Sequence, residues 1–111
     1  MTDKALVWLG SSRDAVRGFN LEGRRETGYQ LRRVQAGLEP RDWKPMAAVG
    51  AGVYELRVHV GAEYRVLYVA KFEEAVYVLH AFEKRTRQTR DADVALARRR
   101  LAAVLAERQR R

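Results

Sequence analysis

The run from Val53 to Phe82, VYELRVHVGAEYRVLYVAKFEEAVYVLHAF, constrains this chain more than any other part of it. It reads as three consecutive β-strands joined by short turns. In the first strand Tyr54, Leu56, Val58 and Val60 alternate with Glu55, Arg57 and His59, so one face is apolar and the other charged. Gly61-Ala62-Glu63 supplies a three-residue turn that pairs Val60 with Tyr64, His59 with Arg65 and Arg57 with Leu67. A slip of one residue would set Arg65 beside Val58 on the apolar face and bury a charge there. The favoured register therefore gathers Glu55, Arg57, His59 and Arg65 on one side of the sheet. A two-residue turn at Glu73-Glu74 would pair His80 with Leu67 and bring it to the same face; one residue more or less would send it to the other. A cationic, His-bearing patch over a hydrophobic core is a candidate phosphate-handling site.

The rest of the chain supplies the layers around that sheet. Its 111 residues fit one domain, 1–111, with a modest core. Ala5-Leu6-Val7-Trp8-Leu9 is a short strand, ended by Gly10-Ser11-Ser12. Ser11 followed by Asp14 resembles a capping box and opens a short helix with Val16 and Phe19 on its apolar side. Asn20 caps a second helix from Leu21 to about Gln35, which Gly37 stops. Gly28, costly in mid-helix, implies close packing at that point. Leu38 to Ala51 reads as a loop, since Pro40 and Pro45 deny it regular structure, with Trp43 and Met46 plugging it onto the core. Thr89 or Asp91 caps a final helix from about Ala92 to Glu107, with Val94, Ala97, Leu101, Val104 and Leu105 as its apolar stripe. Arg98 to Arg100 read as a solvated face, and the tail Arg108 to Arg111 as frayed. The pattern is α+β: an N-terminal strand and helical hairpin packed on a twisted antiparallel sheet, closed by a C-terminal helix.

Charge and composition narrow the partners. The net charge is +8, from 22 basic and 14 acidic residues, which favours polyanions or an acidic protein. Arg dominates the basic residues, and its planar fork suits two-point phosphate contact, although a GC-rich genome would produce the same bias. With no cysteine, disulfides and thiolate metal sites are excluded. No apolar run reaches the roughly 18–20 residues of a membrane span, and no secretory pattern follows Met1, so a cytoplasmic protein is expected.

No nucleotide-binding glycine loop or zinc-protease motif is present, and His59 and His80 are the only histidines. No metal and no cofactor are expected. RNA cleavage without a metal needs a base for the 2′-hydroxyl, cations for the charge growing on the phosphate, and an acid for the 5′ oxygen. Arg57 and Arg65 suit the second task; His59, His80 or Glu55 could serve the first or third. Against this stands the commoner case of arginines on an exposed sheet face paired with a carboxylate such as Glu55, and of His80 as a packed core histidine. Lys84, Arg85, Arg87 and Arg90 form a basic run past the last strand that would complete a phosphate cradle, and Lys44 adds a cation from the loop.

Several blocks, taken in order, carry a family resemblance: WLGSSRDAVRGF, GYQLRRVQAGLEPRDWKPM, GVYELRV and YRVLYVAKFEEAVYVLHAFEKRTRQT. Together they resemble the RelE/ParE toxin superfamily, most closely its HigB-like, phage-derived branch, over about Leu6 to Arg100. The resemblance implies the toxin of a type II toxin–antitoxin pair, with a helical hairpin against a twisted antiparallel sheet. In RelE-like members the activity is metal-independent cleavage of mRNA, usually on the ribosome, and a helix-turn-helix antitoxin is the implied partner. The family's sheet cations fall on Arg57 and Arg65, and its strand-end basic residue on Lys84 or Arg85. Two positions depart from the pattern. Glu55 stands where many relatives have a basic residue, and TRQTRD where many have Tyr or His, leaving His59, His80 or Glu83 for the acid–base role. ParE-like relatives inhibit DNA gyrase instead, and a non-catalytic phage-derived RNA-binding protein is a third reading.

Overall fold

The computed structural model describes residues 3–87 and 90–111. Its elements are β1 (Ala5–Trp8), α1 (Ser12–Arg17), α2 (Leu21–Gln35), β2 (Trp43–Pro45), β3 (Val53–His59), β4 (Glu63–Val69), β5 (Ala75–Glu83) and α3 (Asp91–Gln109). The strands form one sheet in the order β1-β5-β4-β3-β2. Helices cover both of its faces. Leu56, Val58, Tyr64, Val66, Val76 and Val78 meet Val16 and Phe19 near α1 and Leu31 and Val34 of α2. On the opposite face Val53, Leu67, Val69, Tyr77 and Leu79 meet Ala97, Leu101 and Val104 of α3. Burial on both sides explains the unbroken apolar run at the start of β5, since no position there can be polar. The α+β architecture expected from the sequence, RelE-like in its layers, is present.

The sheet is not wholly antiparallel. β1 pairs parallel to β5, with Ala5 opposite Ala75, while β2, β3, β4 and β5 pair antiparallel. A strand and its neighbour so far along the chain need no hairpin, so either direction is available. The loop expected from Leu38 to Ala51 contains β2, which pairs with β3 as an edge strand. An edge position tolerates Pro45, because half of its backbone groups have no ladder partner to lose.

The β3–β4 hairpin differs from expectation by two residues. Arg57 faces Arg65 and His59 faces Glu63, around a Val60-Gly61-Ala62 connection in which Gly61 takes φ +74°. A shift of two keeps every side chain on its expected face. His80 does pair with Leu67, but through a bulge between Leu67 and Tyr68 rather than a two-residue turn.

The helix ends differ in chemistry. Asn20 caps α2 as expected, its Oδ1 accepting from the Gly23 amide at 2.6 Å. At the other end Gly37, at φ +84°, closes a Schellman arrangement in which the Leu38 amide reaches the Arg33 carbonyl at 2.9 Å. Ser11 precedes α1 without a side-chain cap bond. Gly28 is exposed with nothing near it; the close approach belongs to Gly23, where a Cβ would come within 2.5 Å of the Tyr64 ring.

α3 begins at Asp91 after Arg90 at the cap position, and Thr89 lies outside the described residues. Leu105 is not part of the buried stripe but 40% exposed. Nor are the helix arginines merely solvated. Arg98 donates to the Ala48 carbonyl at 2.6 Å, and Arg100 donates to the Leu79 carbonyl at 2.9 Å and to Ser11 at 3.1 Å. The tail is tethered as well: Arg108 pairs with Glu74, whose carboxyl it holds down to about 2, and lies over the Phe72 ring.

Candidate nucleic-acid site

α3 covers only part of its face of the sheet. Beyond its first turn the pairing sets three rows of side chains across the strands. One row runs Lys44, Glu55, Leu67, His80, from β2 to β5. The next runs Arg57, Arg65, Phe82. In the third, His59 faces Glu63, and the Lys84 amide donates to the Glu63 carbonyl at 2.7 Å, extending the ladder one residue past β5. Side chains directly opposite one another on adjacent strands share a face, so these rows are one surface.

Its centre is Glu55, whose side chain has no exposed area. Glu55 Oε1 lies 3.3 Å from Arg57 Nε, 3.5 Å from Arg65 Nε and 3.9 Å from Lys44 Nζ. Two arginines directly opposite each other would repel, and one shared carboxylate oxygen offsets that repulsion. Arg65 is the more enclosed of the two, and its Nη1 also donates to the Tyr64 carbonyl at 2.9 Å and to Glu63 at 3.3 Å. Arg57 and Lys44 are partly open to solvent. Three cations on one anion leave the surface positive.

Lys84 completes the group. Burial lowers its pKa below the ordinary lysine range, and the Arg65 charge lowers it further, against an opposing pull from Glu55. A lysine so placed gives up a proton more readily than a free one.

Both histidines are engaged with carboxylates. His59 Nε2 is 2.6 Å from Asp42 and Nδ1 2.6 Å from Glu63, half-exposed at the rim. The hydrogen bond to Asp42 raises the imidazole pKa, with Glu63 adding to it against the cost of burial. Burial alone would push Glu63 up, but His59 and Arg65 outweigh it and hold the carboxyl low. His80 Nε2 is 2.7 Å from Asp93 of α3, and its ring stacks on Phe82 at 5.2 Å.

The outer basic residues lie around two clefts beside the start of α3. Arg85 and Arg90 line one of about 340 Å³, with Phe82, Lys84 and Asp93. Lys44 and Arg87 line another of about 620 Å³, with Met46, Asp91 and Arg98. The basic residues singled out from the sequence thus fall on this side of the sheet with both histidines, as the cation cluster, the cleft walls, the His59 rim and His80 beneath α3, whereas Glu83 stands opposite Tyr64 and alternates to the other face. The sequence did not disclose Asp42 and Asp93 as histidine partners, because neither is near its histidine in the chain. Glu55, expected as a carboxylate partner of the sheet arginines, is indeed paired with them, but its full burial was not disclosed. Its one signal is an acid on a strand whose next same-face residue is an arginine. Among the described residues no cluster of His, Asp and Glu suits a metal ion, and no helix is long and apolar enough to cross a membrane.

A family model described as Phage derived protein Gp49-like (DUF891) matches residues 14–102, a span that contains the whole of this surface. The chain belongs to that family. The Gp49-like proteins are a phage-derived, RelE-like, toxin-type family. No curated protein matches the chain. For a Gp49-like protein the question becomes what a RelE-like sheet does with a shared buried carboxylate where a further cation was expected.

Proposed function

We propose that this Gp49-like protein is the toxin of a type II toxin–antitoxin module and an endoribonuclease that cuts mRNA on the ribosome without a metal. The observation that carries this reading is the convergence of Arg57, Arg65, Lys84 and Lys44 on the open half of one sheet face. Attack of a 2′-hydroxyl on the adjacent phosphate builds negative charge on the phosphoryl oxygens. Arg57 and Arg65 present planar N–H forks to that charge. Lys84 is the group that moves a proton, since burial and the Arg65 charge lower its pKa and the same amine can return a proton to the leaving 5′ oxygen. Glu55 is too deeply enclosed to touch substrate and acts by holding the arginines. The two histidines steady carboxylates around the site.

The partner in this reading is a helix-turn-helix antitoxin with an acidic segment laid over the same cations. A small domain at +8 attracts such a segment and RNA alike, so the two compete. The test is expression of the wild type and of Arg65→Ala, following growth and mapping mRNA 5′ ends. The wild type should arrest growth and cut mRNA, and Arg65→Ala should lose about 100–1000-fold in cleavage rate. Growth arrest with intact mRNA would overturn the nuclease reading and favour a gyrase-type target. Full toxicity of an Arg57→Ala/Arg65→Ala double variant would show that the site lies elsewhere.

A further inference from the structure

The chain has four lysines, and three of them are engaged. Lys4 Nζ donates to the Ala70 carbonyl at 2.5 Å, Lys44 lies 3.9 Å from Glu55, and Lys71 stands over the Phe72 ring at 5.3 Å. The Lys84 ammonium makes no hydrogen bond or ion pair among the described residues. Arg65, Lys44 and Arg57 act on it as like charges, and the opposing pull of Glu55 is shared with those same three cations. A lysine that is half-enclosed and set among cations is the arrangement that makes an amine nucleophilic. The same lysine lines the cleft of about 340 Å³, together with Phe82, Arg85 and Arg90. That volume sits at the lower end of the roughly 300–1,000 Å³ of small-molecule sites. Both carboxylates of the cleft are already bonded, Asp93 to His80 at 2.7 Å and Glu83 to Arg85 at 3.5 Å. A small anion entering the cleft therefore meets a cationic wall with the amine in it.

We infer that Lys84 is an acylation site, modified by a small acyl phosphate whose phosphate group Arg85 and Arg90 hold, and that the modification switches the cationic surface off. The switch rests on the RNA reading above; the acylation site does not. The neutral amine attacks the carbonyl carbon of the donor. An N–C bond forms, the C–O bond to phosphate breaks, and inorganic phosphate leaves with that electron pair. The proton released from the nitrogen goes to water. The product is an amide, uncharged and unable to take up a proton. One acyl group thus removes a cation and the proton carrier together, and leaves Arg57, Arg65 and Glu55 in place.

The experiment incubates the full chain with acetyl phosphate and follows each lysine-bearing peptide by mass spectrometry over time. Lys84 should be acetylated severalfold faster than Lys4, Lys44 or Lys71. Acetic anhydride, a donor without phosphate, separates amine reactivity from phosphate recognition. The Arg85→Ala/Arg90→Ala variant, altered at two exposed positions, should slow acetyl phosphate at Lys84 about tenfold and leave the anhydride rate there unchanged. Excess inorganic phosphate should slow the wild type in the same way, an arm that needs no variant to fold. Acetylated protein, and Lys84→Gln, should lose cleavage and flatten the salt slope of RNA binding by about 0.7. If Lys84 is labelled no faster than the other lysines, or if phosphate does not compete, the inference is wrong. Selective labelling that leaves the cleavage rate unchanged would overturn the switch. If Lys84 is labelled selectively but RNA is never cut by the unmodified wild type, even on ribosomes, the acylation site stands and the nuclease reading falls. Cleavage with no preference for Lys84 gives the converse.

Discussion

Glu55 and Arg65 form an ion pair in which the carboxylate is fully enclosed and the guanidinium keeps a narrow opening, with relative exposures of 0% and 7% for the two side chains. The Glu55 charge has no water to fall back on. Breaking such a pair from one side leaves an uncompensated buried charge, which typically costs about 3–5 kcal/mol. Glu55→Gln keeps the shape and removes the charge. It should lower the urea midpoint by the equivalent of about 3 kcal/mol with an unchanged slope. An unchanged midpoint would mean that Glu55 is not the counterion that holds the cluster.

RNA binding by the cation cluster should be salt-dependent in a countable way. For single strands the slope of log K against log salt is about −0.7 per neutralised phosphate, so three or four contacts give roughly −2 to −3. Arg57→Ala should flatten the slope by about one contact. Arg65→Lys should keep the slope and recover only part of any cleavage, because an ammonium lacks the two-point fork. Titrations of the binding constant from low to moderate salt decide this; a flat line would contradict an electrostatic site.

The His59 rim predicts a pH dependence of stability. The folded pKa of His59 lies above its ordinary value of 6.5, chiefly through Asp42. Its contribution is therefore fully present below about pH 6.5 and fades as the pH rises through the folded value. Glu63, held below its ordinary value of 4.5, acts in the opposite sense: its contribution is present above about that pH and is lost in acid. Thermal melts of the wild type should fall on the alkaline side of this window. His59→Gln should flatten the alkaline slope, and Asp42→Asn should reduce it. A melt profile identical in wild type and His59→Gln would remove the rim from the account.

Two glycines of α2 should respond to alanine with opposite signs. Gly28 is exposed and nothing lies near its missing Cβ, so Gly28→Ala should stabilise by about 0.5–1 kcal/mol. At Gly23 the added carbon would strike the Tyr64 ring, which stacks on Phe19 at 3.9 Å and accepts a hydrogen bond from the Asn20 amide. Gly23→Ala should cost about 1–3 kcal/mol as overpacking. Denaturant curves of the two variants, run side by side, test both signs.

The strands and helices were legible because their signals are local. Alternation in Tyr54 to Val60 fixed which side chains face the helices, and a shift of two residues in the pairing left that result intact. Asn20 and Gly37 marked the ends of α2 because capping is decided within a few residues. What could not be read is whatever depends on distant chain segments. Gly28 and Gly23 look alike in the sequence, and only the position of Tyr64 distinguishes them. β2 was hidden by Pro45, whose effect depends on standing at a sheet edge. The cations and Glu55 as their carboxylate partner were found by alternation, but the burial of Glu55 among Lys44, Arg57 and Arg65 depends on β2, β3 and β4 coming together.

The parallel pairing of β1 with β5 orders events in time. Ala5 finds its partner only at Ala75, so the first strand synthesised waits, unpaired, for nearly the last. Contacts so distant along the chain close late and slow the folding search. Until then β5 lacks one neighbour, and the face later covered by α3 stays open. Until the final helix packs down, that interval leaves bare strand edges on which misassembly begins.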